Sequence, residues 1–111
     1  PPSIQEKPYY VKTLNDNYNL RFSPDMKAFS GDIVFTCQPN TNIIATIKIG
    51  ARLKVLAELP EEDRTWLYVE AEEKVIKNRC DVTDFDEFTA FKDHGNPSVR
   101  GWVSSRYTEK E

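Results

Sequence analysis

Few residues in this chain of 111 are of the types that do chemistry. The one histidine, His94, sits in the turn-like stretch "HGNPS" (94–98). A lone loop histidine has no partner to orient it or take up its proton, so it makes a poor general base. Cys37 and Cys80 lie far apart, and neither falls in an activating motif. Two cysteines at this distance do not form a zinc ribbon, which needs four ligands in two close pairs. They read either as two unrelated buried thiols or as one disulfide in an exported protein. A bridge would close a long loop and contribute about 4 kcal/mol on the chain-entropy argument. Carboxylates are abundant at Glu61, Glu62 and Asp63 and again at Asp84, Asp86 and Glu87, and runs of this kind are solvated faces. "DVTDFDEF" (81–88) spaces its oxygens loosely like a calcium loop, but it lacks the central glycine and a glutamate at the closing position. Only four glycines occur, none clustered, so no phosphate-cradling loop is present. The expectation is a non-enzyme without cofactor or metal.

Charge narrows the partners. The net charge is −3, and acidic and basic residues interleave through the second half. Without a dense Lys/Arg cluster the chain does not read as a nucleic-acid or polybasic membrane binder. No apolar run approaches the ~20 residues that span a bilayer. The opening "PPSIQEKPYY" fits a start after a removed export signal, or an arbitrary boundary.

The elements that would carry these residues read as strands. In "IATIKIGARLKVLA" (44–57), Ile47 and Ile49 alternate with Thr46 and Lys48, and Leu53 and Val55 alternate with Arg52 and Lys54. Period-two alternation on both sides of Gly50 predicts strand, tight turn, strand. Gly50 takes the third turn position, where a type II turn needs positive φ. "DIVFTC" (32–37), "TWLYVEA" (65–71) and "RGWVSSRY" (100–107) read as further strands. "YYVKTLN" (9–15) and "YNLRFS" (18–23) around the turn-former "NDN" predict a hairpin. "EAEEKVIKNRC" (70–80) reads as a surface hairpin or extended loop. "VTDFDEFTAFKDHG" (82–95) breaks the pattern, with Phe85, Phe88 and Phe91 at steps of three. It predicts a short helix, capped at Thr83 or Asp84 and closed by Gly95, whose rings pack on the barrel and plug one end or else form an exposed docking face. Short strands at this spacing point to an all-β barrel or sandwich.

The order "QPNTNIIATIKIGARLKVLAE…WLYVEA…GWVSSRY" resembles the bacterial Src-homology-3 (SH3b) family. Gln38-Pro39-Asn40-Thr41 would be the first loop and Lys48-Ile49-Gly50 the basic-glycine turn. Leu53 and Val55, then Trp66 and Val69, would hold the middle strands, and Gly101, Trp102, Val103 and Tyr107 the closing tail. The likeness covers about residues 33–108. Its opening "IVFTCQP" has the family's shape but lacks the arginine and the loop glycine. It implies a small SH3-like β-barrel over 9–108, preceded by an extended segment (1–8). The barrel would be decorated by an added N-terminal hairpin (9–30), or else carry an enlarged first loop (25–38), and by a helix-bearing insertion (72–98). It further implies an extracytoplasmic module, periplasmic, envelope-bound or secreted, that binds cell-wall peptide or peptidoglycan or brings a partner enzyme to it. Asn40, Thr41, Trp66, Trp102 and Tyr107 would be the contacts. The alternative is a protein–protein interaction domain, an inhibitor or assembly component, using the 72–98 insertion.

Overall fold

Alternation drives the middle of the chain into strands, and their buried faces build the core. The computed structural model describes residues 1–26, 42–79 and 98–111. The strands are β1 (Ser3–Thr13), β2 (Tyr18–Arg21), β3 (Ile43–Ile47), β4 (Arg52–Pro60), β5 (Thr65–Glu72), β6 (Ile76–Lys77), β7 (Ser98–Ser104) and β8 (Thr108–Lys110). A single 3-10 turn, Glu73–Val75, lies between β5 and β6. The strands form one sheet in the order β6-β3-β2-β7-β5-β4-β1-β8, with every described ladder antiparallel. The sheet curls into a half-barrel. Its concave side collects Val11, Leu20, Ile47, Leu53, Val55, Leu67, Val69, Val99 and Val103, all buried.

The turn at Gly50 forms as the alternation predicts. Gly50 has φ +73°, and the Ala51 N–H donates to the Lys48 carbonyl at 3.3 Å. The strands on either side do not pair with each other. β3 joins β2 and β6, whereas β4 joins β1 and β5. The turn is therefore a corner between two parts of the curled sheet.

The second corner corrects the expected hairpin over 9–23. β1 pairs with β4 and β8, and β2 pairs with β3 and β7. Residues 14–17 are turn chemistry, with Asn17 at φ +51°, but they redirect one bent strand rather than closing a hairpin. The physical reason is that the two corners lock together. The Thr13 hydroxyl donates to the Lys48 carbonyl at 2.7 Å and accepts from the Ala51 N–H at 3.0 Å. The Gly50 N–H donates to the Thr13 carbonyl, and the Thr13 N–H to the Ala51 carbonyl. The Asp16 carboxylate accepts from the Ile49 N–H at 3.1 Å. Each bend thus satisfies the polar backbone that the other exposes, as buried chain requires.

The leading segment is extended, and from Ser3 onward it belongs to β1, with Ser3 opposite Glu58 and Ile4 opposite Ala57. The stretch after β5 supplies the 3-10 turn and β6, which adds to the edge of β3 through Thr46–Lys77 and Ile47–Ile76. The strand expected over 32–37 and the phenylalanine helix over 82–95 lie outside the described residues. No helix among the described residues is long and apolar enough to cross a membrane.

Candidate functional site

On β5 and β7 the alternation that sends Leu67, Val69, Ala71, Val99 and Val103 inward turns a second set outward. Tyr68 stands opposite Trp102, Glu70 opposite Arg100, and Glu72 opposite Ser98. A bulge in β4 between Val55 and Ala57 brings Ala57 opposite Tyr68 on this outer face. Period-two geometry makes the face a ladder of cross-strand pairs.

Charges alternate across it. Lys54 of β4 lies opposite Glu70, and Arg100 donates to Glu70 with N···O at 2.9 Å. Beside them an open groove of 830 Å³ runs from Tyr10 and the Gly50–Arg52 corner to Ser98 and the Glu73–Val75 turn. Arg52 lies 3.5 Å above the Tyr10 ring and pairs with Glu111 at 2.9 Å. The Ser98 hydroxyl is buried and has no hydrogen-bond partner among the described residues. An orphaned polar atom of this kind calls for an explanation, a ligand group being one.

Trp102 is half-buried. Its ring rests against Tyr68, centroid to centroid 5.1 Å, tilted by 55°, within the contact range of aromatic pairs. Along β7 it stands four residues from Ser98 on the same face, roughly 13 Å at strand rise.

The other expected contacts go elsewhere. Trp66 is only 1% exposed; its indole N–H donates to Glu61 at 2.6 Å, and the Arg64 guanidinium lies 5.3 Å from its ring. It packs and is satisfied, so its ring is not offered to a ligand. Tyr107 is half-exposed and lines a separate cleft of 260 Å³ with Tyr18, Arg21, Arg64 and Arg106. There the Tyr107 N–H donates to the Tyr18 hydroxyl at 3.2 Å, and that hydroxyl donates to the Ser104 carbonyl. Burial, outweighing these bonds, raises the Tyr18 pKa. Tyr107 thus lines this second cleft, whereas Trp102 stands on the open sheet face and lines neither concavity. Asn40, Thr41, Cys37 and Cys80 lie outside the described residues.

Ser98 and the arginines of the second cleft carried no motif. Arg21 and Arg64 come together only through the bending of β2 and the β4–β5 turn, which leave no fixed sequence spacing. Among the described residues no group of His, Cys, Asp and Glu is placed to hold a metal ion. Comparison of the chain with family models, curated proteins and solved structures returned no match to any of them.

Proposed function

We propose that the chain is a non-catalytic binding module of SH3-like barrel type that works outside the cytoplasm and recognises cell-wall peptide or peptidoglycan, or brings a partner enzyme to it. The ligand lies along the outer face of β7, from Ser98 to Trp102. One observation carries this reading: a groove ends at Ser98, whose buried hydroxyl has no partner among the described residues, and the same strand face carries the partly exposed Trp102 four residues on. An aromatic face stacks on sugar or peptide planes with little loss of rotamer freedom. The alternating Lys54, Glu70 and Arg100 suit a ligand carrying both carboxylate and amine. The roughly 13 Å between Ser98 and Trp102 matches an extended segment of about four residues. The SH3b-like order of turns and strands supports the type of ligand and the location.

A second reading has its own observation. Glu72–Val75, the start of the 72–98 insertion, forms one wall of the same groove, as a protein–protein interaction domain would arrange it.

The chain has two tryptophans, so Trp66→Phe leaves Trp102 as the sole indole reporter. Its fluorescence is expected to change saturably as solubilised peptidoglycan fragments are added. A flat titration to millimolar ligand would count against the wall-ligand reading. Capture of a protein partner that is lost on deleting 73–97 would favour the second.

A further inference from the structure

The second cleft has no lining residue in common with the groove of the outer face. Three arginines meet there from three elements: Arg21 at the end of β2, Arg64 in the β4–β5 turn and Arg106 in the β7–β8 turn. Arg21 is 7% exposed. Its described hydrogen bonds all leave from Nη1, to the Asn42 Oδ1 at 2.8 Å and the Met26 carbonyl at 3.0 Å. Arg64 reaches the same Met26 through its sulfur at 2.9 Å and Ser104 Oγ at 3.4 Å. The Arg106 N–H donates to that Ser104 Oγ at 3.3 Å. Among the described residues no carboxylate forms an ion pair with Arg21; Arg64 gives its Nε and Nη2 to Asp63 and turns its Nη1 to the cleft residues Met26 and Ser104.

Among the described residues the only acidic one lining the cleft is Asp16, already engaged by the Ile49 N–H and by Lys77. Burial first, and then the charge of Arg64, hold the Arg21 pKa below its ordinary value, with Asp25 a weaker opposing attraction. A buried cation beside a second cation is costly unless an anion sits with them.

We propose that this cleft binds a phosphoryl group, met by the guanidinium groups of Arg21, Arg64 and Arg106 from three directions. One arginine fork satisfies a planar carboxylate. Donors arriving from three separate elements suit a tetrahedral oxyanion, which offers acceptors on every side. The half-exposed Tyr107 and the amides of Asn15, Asn17 and Asn19 border the site and would contact whatever carries the phosphate. That group is either free inorganic phosphate or a phosphate ester on a larger molecule.

Trp66 lies 5.3 Å from the Arg64 guanidinium and so reports on the site. Trp102→Phe makes it the sole indole, and it also removes the tryptophan of the other face. This variant is titrated with sodium phosphate, glycerol 3-phosphate and sodium acetate at pH 7, each at ionic strength held constant with chloride. Thermal unfolding provides the second readout. Saturable change with phosphate identifies the free anion as a sufficient ligand, and change with glycerol 3-phosphate alone identifies an ester. Arg106 is exposed, so Arg106→Ala is expected to fold and to weaken binding about tenfold, the loss of one charge-assisted contact. Arg64→Gln should weaken it at least as much. No saturable response to either phosphate, an equal response to acetate, or unchanged affinity in Arg106→Ala would each overturn the proposal. None of these results bears on wall binding at Trp102.

Discussion

Two glycines show how differently one residue type can be required. A Cβ at Gly50 would meet no atom within 4 Å, and only φ +73° restricts the position. Gly50→Ala should therefore cost about 1–2 kcal/mol, the strain of a left-handed L-residue. Gly50→Asn should cost less, because asparagine tolerates that region. A Cβ at Gly101 would instead lie 2.9 Å from both the Arg21 carbonyl oxygen and Leu20 Cδ1. Gly101→Ala must push β2 off β7, at about 1–3 kcal/mol, the range for overpacking. Chemical denaturation of the three variants checks this, with Gly50→Asn expected to be the mildest. Tyrosines give a pH signature. The Tyr9 hydroxyl bonds the Glu58 carboxylate. Burial foremost, then that bond and the nearby negative charge, raise its pKa well above the ordinary 10.0. The Tyr18 pKa is raised too. A raised folded-state pKa means the folded chain holds the proton more tightly. Its stability is whole below about pH 10 and falls as pH climbs beyond. The thermal midpoint should be flat to about pH 9 and drop above 10, less steeply in Tyr9→Phe.

At the scale of elements, the interlocked corners replace hairpin closure as the organising device. Thr13 bridges them with one hydroxyl that both donates and accepts. Thr13→Val keeps the shape and removes both bonds. It should cost about 1 kcal/mol, because the Lys48 carbonyl and the Ala51 N–H each lose one bond and keep only the longer one between them. The turn at Gly50 was legible in the sequence because alternation and a lone glycine are local signals. The pairing of β1 was not, since "NDN" marks a bend without saying whether the flanking strands meet. Trp66 belongs to the outward set by register yet is buried by Glu61 and Arg64, a fact no period-two pattern carries. The free edge shows a further device. β8 covers only Val11–Thr13 of β1, leaving its first half as sheet edge. Glu6, Lys7 and Pro8 occupy that edge, two charges and a residue without an N–H, which oppose strand addition. Replacing Lys7 and Pro8 together by valine should increase self-association, seen as a rise in light scattering with concentration at unchanged circular dichroism.

The described residues place a shared core on one side of the curled sheet and line two chemically different concavities on its surface. The groove beside Ser98 mixes both signs of charge, and the cleft beside Tyr107 concentrates positive charge in a chain whose net charge is −3. Composition could exclude a polybasic surface but could not show a local one, because Arg21, Arg64 and Arg106 are gathered by folding. Wall recognition is the broader claim, and co-sedimentation with purified, insoluble peptidoglycan tests it most directly. The native chain should pellet with the polymer, and Trp102→Ala, with its circular dichroism unchanged, should stay largely in the supernatant. A native chain that remains in solution, or a Trp102→Ala chain that pellets equally well, would contradict it.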